Sequence, residues 1–168
     1  MSALSPNDIV ITQAHAADSG PVRDALEGRA DIMAMTQATH DAALRPADPG
    51  GISHGERAAL AARIARLNAD EDLAVHYLAR LEEIAADEDV AALADPARKG
   101  EGDARRAALV AYTDLVSTHP RDTTAADIET LKTAGVSDAD IVRLSELNAF
   151  LAYQIRVIAG LKLMKATA

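Results

Sequence analysis

Apolar residues recur every three or four positions along most of the chain, which is the spacing of amphipathic helices. The pattern predicts a helix over residues 22–44, opened by Pro21 and weakened locally at Gly28. Residues 1–20 lack this spacing and are predicted to form an irregular lead-in, with a short extended stretch at 8–12. Strand periodicity is not sustained anywhere, so the pattern predicts an all-α chain.

The start of the next helix is marked by a local sequence signal. Ser53 and Glu56 are three positions apart and predict a capping box, with Ser53 as N-cap and Glu56 at the third helical position. The helix is predicted to end at a bend over 68–70, and a second helix follows over 71–86. Two helices joined by so short a bend favour an antiparallel hairpin.

The second half repeats these signals after a segment rich in turn residues. Residues 87–103 are predicted to be a linker between two halves, with a short helix at 90–94. The whole of 21–168 is predicted to be a single helical domain of about six to eight helices. The later helices are predicted at 105–118, at 124–134 with a Thr124–Asp127 capping pair, and from Ser137 to about Lys165.

Composition excludes several classes of function. The formal net charge is −9 and Lys and Arg form no cluster, so nucleic acid is not an expected partner. No apolar run is long enough for a membrane span and no secretory signal is visible, so the expected location is the cytoplasm. The absence of cysteine excludes disulfides, thiolate metal sites and cysteine nucleophiles.

Candidate chemistry is concentrated in the predicted hairpin, at Glu56, Asp72 and His76. Asp72 and His76 are four apart and share a helical face, and antiparallel pairing would bring Glu56 towards the level of His76. An imidazole between two carboxylates predicts a proton-transfer site. Each residue also has a purely structural interpretation: Glu56 as a helix cap, Asp72 as a first-turn acid and His76 as a hydrogen-bonded core residue.

The remaining histidines and a possible metal site add no further candidate for function. His40 has Asp41 beside it but lies near a helix end, and His15, His54 and His119 belong to no motif. The three hairpin residues could hold a divalent ion, yet no HExxH, Glu-x-x-His pair or thiolate is present. The sequence therefore predicts neither a metal nor a cofactor.

Two segments carry a family resemblance. The first runs from Glu56 through the Leu-Ala-Val-His stretch that ends at His76, and the second is the Leu131–Ile141 stretch with Asn148 and Arg156 beyond it. Over about residues 50–165 the chain resembles the carboxymuconolactone decarboxylase (CMD) and AhpD-like alkylhydroperoxidase superfamily. This resemblance implies an AhpD-like orthogonal helical bundle and a homo-oligomer.

The resemblance also locates what is missing. The peroxidase branch carries Cys-x-x-Cys-x-x-x-His, and counting back from His76 places Ala69 and Asp72 at the two cysteine positions. Cysteine-dependent peroxidase activity is therefore not expected. An acidic residue four before the histidine, as at Asp72, fits the cysteine-free members of the superfamily better.

Two functions remain open at this point. One is acid–base chemistry on a small organic acid or lactone, in which His76 moves the proton, Asp72 orients it and Glu56 is a second carboxylate. The other is a non-catalytic role, either as a small-ligand binder or as an oligomeric partner of a cysteine-bearing alkylhydroperoxidase-like paralogue.

Overall fold

Helices account for the regular structure of the chain in a computed structural model, which describes residues 4–5, 8–16 and 20–167. That part of the chain holds nine α-helices, one short 3₁₀ helix and no strand, which confirms the predicted all-α class. The α-helices are α1 (Ile9–Gln13), α2 (Pro21–Glu27), α3 (Ala30–Leu44), α4 (His54–Leu67), α5 (Glu71–Ile84), α6 (Glu88–Ala92), α7 (Ala104–Thr118), α8 (Ala125–Thr133) and α9 (Asp138–Thr167), and the 3₁₀ helix is Pro120–Asp122.

Helix α4 lies at the centre of the bundle and packs against α3, α5, α6, α7 and α9. Every residue from Gly55 to Ala65 is buried. Five of these residues are alanines, whose small side chains let the surrounding helices approach closely. The apolar core around α4 extends from Ile9 in α1 to Ile158 in α9.

The predicted hairpin of α4 and α5 is confirmed, including its local signals. The Ser53 side chain accepts from the Glu56 N–H, and the Glu56 carboxylate accepts from the Ser53 N–H at 3.0 Å. The bend places Ala69 in the left-handed region with φ of 58°, and the Asp70 side chain caps α5. The bend is short because these two residues turn the chain directly into the next helix.

Two arginines are buried on α4, and both act as structural anchors. Arg57 donates to the carbonyl oxygens of Ile52, Ala43 and Pro49, at 2.9–3.0 Å. These three bonds hold the connection between α3 and α4. A buried guanidinium is tolerated here because its donors have acceptors.

Arg63, which has no exposed surface, anchors the predicted linker. Its guanidinium binds both carboxylate oxygens of Asp114 on α7, one of them at 2.7 Å. It also donates to backbone carbonyls of the segment that follows α6, at Leu93, Asp95, Pro96 and Arg98. The predicted linker is therefore fastened to the central helix.

The expectation for residues 1–20 is wrong over 9–13, which form α1. Asp8 caps α1 by accepting from the N–H groups of Val10 and Ile11, and all three residues of the Ile9–Ile11 stretch are buried. A run of three apolar residues looks extended in sequence, but the cap and the burial make it helical. Residues 1–3, 6–7 and 17–19 of the predicted lead-in lie outside the described residues.

The single helix predicted over 22–44 is also wrong, because the structure divides it. Helix α2 ends at Glu27 with Gly28 as its C-cap, and α3 begins at Ala30 after Arg29 leaves helical geometry. Glycine favours such a break because its backbone has more freedom to lose in a helix. The division and α1 explain why the helix count exceeds six to eight.

Within the described residues, no helix is both long and apolar enough to cross a membrane.

Candidate functional site

Glu56 is committed to structural contacts at the start of α4. It is 5% exposed, and its Oε2 accepts from the Ser53 backbone. Its Oε1 accepts from the Arg105 guanidinium of α7 at 2.7 Å, and Arg106 lies 3.7 Å away. The same Arg105 also donates to the carbonyl of Gly51. Glu56 thus joins the start of α4 to the start of α7.

Asp72 lies in the first turn of α5, with 65% of its side chain exposed. Its carboxylate forms an ion pair with Lys162 of α9 at 3.2 Å. It lines a shallow depression between α5 and α9, together with Ala69 and Asp70. Both positions where the peroxidase branch would have cysteines therefore face α9.

His76 is the one residue of the predicted three that lines a cavity of about 370 Å³, which also contains His40 and His54 in its lining and which we call the histidine cavity. Antiparallel pairing does bring the start of α4 to the end of α5, since His54 and Ala58 share this cavity with Arg80. Glu56 is two positions from His54, which rotates it by roughly 200° around the helix, away from the cavity. The structure does not bring Glu56, Asp72 and His76 together.

The cavity combines an apolar lining with a few polar groups, which is typical of small-molecule sites. Its walls come from α1, α3, α4 and α5. The apolar part is formed by Ile9, Leu44, Ala58, Tyr77 and Ile84, and the polar part by Thr12, Gln37, His40, Asp41, Arg45, His54, His76 and Arg80.

His40, on α3, is the most deeply buried polar group of the cavity, at 7% exposed. Its Nδ1 lies 3.1 Å from Oδ1 of Asp41, and its buried Nε2 has no hydrogen-bond partner among the described residues. Gln37 accepts from the Ile9 N–H and donates to the same Asp41 oxygen. An Nδ1–H that donates to Asp41 leaves the Nε2 lone pair of His40 available.

His76 faces the same space from α5. Burial lowers the pKa of His76 to about 4, and the positive charge of Arg80 and the His40 imidazole act in the same direction. Burial also lowers the pKa of His40, against the opposing effect of Asp41. The buried Nε2 of His76 likewise has no partner among the described residues. Both imidazoles are therefore neutral at neutral pH.

The Tyr77 ring packs against both imidazoles. Its ring is stacked with His40 at a centroid distance of 6.2 Å and meets His76 edge-on at 5.1 Å. Its hydroxyl donates to Oε1 of Gln154 at 2.6 Å, away from the histidines, and burial raises its pKa. Tyr77 is consequently a packing element and a hydrogen-bond donor to α9, not a proton source for the cavity.

Two arginines add positive charge at the cavity. Arg80 pairs with Glu83 at 2.8 Å, while Arg45 has no ion-pair partner among the described residues. Asp41 contributes the cavity's only lining carboxylate within the described part of the chain. Glu83 offsets the charge of Arg80, so Arg45 is the lining cation that remains available to a negatively charged group of a ligand.

Most of this site was not predicted from the sequence. His40, His54 and Arg80 were assigned no role, because no spacing links α3 to α5 and only tertiary packing brings His40 to His76. The adjacent His40 and Asp41 were the one available signal.

Among the described residues, no group of three or more His, Asp or Glu side chains is arranged to hold a metal ion.

Comparisons with known proteins add information on the fold alone. No protein-family model matches the chain, and no curated protein matches it. Among solved structures, it is similar to the crystal structure of an uncharacterized peroxidase-related protein from Silicibacter sp. TM1040, with a TM-score of 0.68 and 19% sequence identity. The match covers 77% of this chain and 68% of that chain. The two proteins share a fold, in keeping with the resemblance that the sequence motifs indicate.

Proposed function

We propose that the chain binds a small organic acid or lactone in the histidine cavity and transfers protons to and from it. The observation that supports this most directly is the pair of neutral imidazoles, His40 and His76, whose buried Nε2 atoms have no partner among the described residues. Buried polar atoms normally have hydrogen-bond partners, so two such atoms on residues that line one cavity favour a ligand or an ordered water beside them. The proposal groups the chain with the cysteine-free members of the CMD and AhpD-like superfamily.

The two histidines have different roles in this proposal. His40 is the base: its Nδ1–H donates to Asp41, and its Nε2 takes a proton from the carbon next to the substrate's carbonyl group. His76 stays neutral because of its low pKa, and its ring N–H donates to the carbonyl oxygen as negative charge develops there. The C–H bond breaks, an N–H bond forms on His40, and the same proton can return to either side of the carbon.

The lining and size of the cavity support the substrate class. In this proposal Arg45, which has no ion-pair partner among the described residues, binds the substrate's carboxylate, while Ile9, Leu44 and Ile84 contact the apolar part of the molecule. A volume of about 370 Å³ suits a small molecule rather than a polymer. Because the sequence has no cysteine, these residues can move protons but offer no thiol for electron transfer.

Proton exchange with solvent tests this proposal. The purified chain is incubated in D2O with a panel of short-chain carboxylates and carboxylated γ-lactones, and ¹H NMR follows the protons next to the carbonyl. We expect exchange with at least one compound and a loss of about 100-fold or more in His40→Gln. His119→Gln, outside the cavity, is the matched control.

Two results would contradict the proposed chemistry. Equal exchange in the His40→Gln, His76→Gln and parent proteins would exclude both imidazoles. Chemical-shift changes confined to the cavity, with no exchange for any compound, would exclude proton transfer and leave the chain as a small-ligand binder.

A further inference from the structure

Gln37 lies on α3 beside two other residues of the histidine cavity. It is three positions before His40 and four before Asp41, and residues at those distances are neighbours on the surface of a helix. His40 and Asp41 are adjacent in sequence, so their side chains leave the helix about 100° apart. A lasting contact between these two side chains therefore needs a third group that holds them together.

The orientation of the Gln37 amide is fixed by the backbone of α1. The N–H of Ile9 donates to Oε1 of Gln37 at 2.9 Å, and only the oxygen of the amide can accept this bond. The amide nitrogen must therefore point the other way, where it donates to Oδ1 of Asp41 at 3.1 Å. The reversed amide would lose both hydrogen bonds, so one orientation is strongly favoured.

The same oxygen of Asp41 also contacts His40. Its distance from Nδ1 of His40 is 3.1 Å, and because an ionised carboxylate only accepts, this contact is a hydrogen bond only when Nδ1 carries the proton. The Asp41 side chain is 57% exposed, so water competes with His40 for the carboxylate. The bond from Gln37 opposes that competition by holding Asp41 on the side of the imidazole.

A second arrangement of the same three side chains would have the opposite consequence. The amide nitrogen of Gln37 lies 3.4 Å from Nδ1 of His40, and it could donate there only if Nδ1 were unprotonated. The proton of His40 would then be on Nε2, which could no longer accept one. This contact is longer than the one to Asp41, and it would leave the Asp41 carboxylate facing a lone pair. The geometry therefore favours the proton on Nδ1.

We propose that Gln37 is a positioning residue, which holds Asp41 against Nδ1 of His40 and so keeps the free lone pair of His40 on Nε2. That Nε2 is buried and has no hydrogen-bond partner among the described residues. Helix α1 contributes through the Ile9 N–H, which sets the Gln37 amide. The effect of Gln37 on catalysis rests on the proposed function, in which His40 is the base, whereas its effect on the His40 tautomer does not.

NMR of the imidazole nitrogens tests the tautomer directly. The chain is labelled with ¹⁵N-histidine, and long-range ¹H–¹⁵N correlations at about pH 8 show which ring nitrogen is protonated. Signals of His40 are assigned by their absence in His40→Gln. The parent should show His40 protonated on Nδ1, and Gln37→Met should show a mixture of both tautomers. Gln13→Met, the same substitution at the end of α1 and outside the cavity lining, is the matched control and should keep the parent tautomer.

A pair of substitutions tests whether Gln37 acts through Asp41. Asp41→Ala should lower the Nδ1–H form of His40 at least as far as Gln37→Met does. In a chain that already carries Asp41→Ala, Gln37→Met should lower it no further, because the carboxylate that Gln37 holds is gone.

Proton exchange measures the catalytic consequence. At saturating substrate, exchange in Gln37→Met should fall by about 10-fold or more with little change in KM, because His40 protonated on Nε2 cannot take a proton at that atom. Exchange in Gln13→Met should match the parent.

The outcomes separate this proposal from the proposed function. A parent chain with His40 protonated on Nε2, or a Gln37→Met chain with the parent tautomer, would overturn the role of Gln37. An altered tautomer with unchanged exchange would overturn its part in catalysis. Absence of exchange in every protein, the parent included, would contradict the proposed function and leave the tautomer result in force.

Discussion

The imidazoles of His40 and His76 face each other across one cavity with a centroid distance of 6.4 Å, one from α3 and the other from α5. Neither ring has a hydrogen-bond partner for its Nε2 among the described residues. Both are kept neutral by burial, and Tyr77 supports both. This pair replaces the Glu-Asp-His cluster that the hairpin pattern predicts.

The stability of the fold should depend on pH through these histidines. A histidine whose pKa is lowered in the folded state binds its proton more readily when unfolded. Its contribution to stability is therefore complete above its ordinary pKa of about 6.5 and is lost as the pH falls towards about 4, the folded pKa of His76. Urea midpoints measured from pH 7.5 to 4 should fall across this window.

The histidine variants identify the source of that pH dependence. His76→Gln should reduce the slope of the midpoint profile between pH 6.5 and 4, because glutamine binds no proton in either state, and the part due to His40 should remain. The exposed His119→Gln variant is the control and should keep the parent slope. An unchanged slope in His76→Gln would show that burial does not lower the pKa of this imidazole.

Glu56 and Asp72 should be separable from the chemistry of the cavity. Glu56→Gln weakens a capping box and an ion pair with Arg105, so we expect a loss of about 1–2 kcal/mol in the free energy of unfolding. Asp72→Asn removes a largely exposed pair with Lys162 and should cost less than about 1 kcal/mol. Proton exchange per folded molecule should remain within about twofold of the parent in both variants, whereas His40→Gln loses it. A large loss of proton exchange in Glu56→Gln, with the fold intact, would show that the Glu56 carboxylate takes part in the chemistry.

Replacing Arg63 should lower the free energy of unfolding far more than replacing an exposed arginine. Arg63→Met leaves Asp114 without its main partner and removes a donor from four backbone carbonyls, of which Leu93 and Arg98 have no other donor among the described residues, so we expect a loss of about 3–5 kcal/mol. Arg98→Met removes an exposed pair with Glu101 and should cost less than about 1 kcal/mol. Chemical denaturation measures both changes. Equal losses in the two variants would contradict the anchoring role of Arg63.

Tyr77→Phe should separate the packing role of the Tyr77 ring from the hydrogen bond that the Tyr77 hydroxyl donates to Gln154 of α9. The aromatic ring remains under both histidines, while Gln154 loses the donor for its buried Oε1. We expect a loss of about 1–3 kcal/mol in the free energy of unfolding and little change in proton exchange. Tyr112→Phe, which removes a hydroxyl beside Ser145, is the less buried control. A collapse of exchange in Tyr77→Phe would mean that the hydroxyl itself takes part in the chemistry.

Local signals explain why most helix starts were predictable. The capping box of Ser53 and Glu56 is formed by neighbours in sequence, so its residues are sufficient to identify it. The start of α1 depends in addition on the burial of Ile9 and Ile11 against the rest of the bundle, which the sequence does not display. Helix type follows from short-range geometry, whereas the stability of a five-residue helix comes from tertiary packing.

The site was harder to predict because it depends on rotation around helix axes and on packing between distant helices. The antiparallel hairpin places Glu56 near the level of His76 along the helix axes. Its rotational position on α4, however, directs the side chain towards Arg105 rather than His76. His76 was identified because its own helical face and the family motif both point to it. His40 reaches the same cavity only through the packing of α3, which no spacing rule describes.

Helix α3 forms a wall shared by two concave surfaces. Gln37 and His40 line the cavity, and Met35 and Thr39 line an apolar groove of about 590 Å³ between α3 and α9. Because the two sets of residues alternate along one helix, a substitution that moves α3 on either side is expected to change the shape of both spaces. Variants designed to probe the cavity should therefore also be compared with the parent for the packing of α3 against α9.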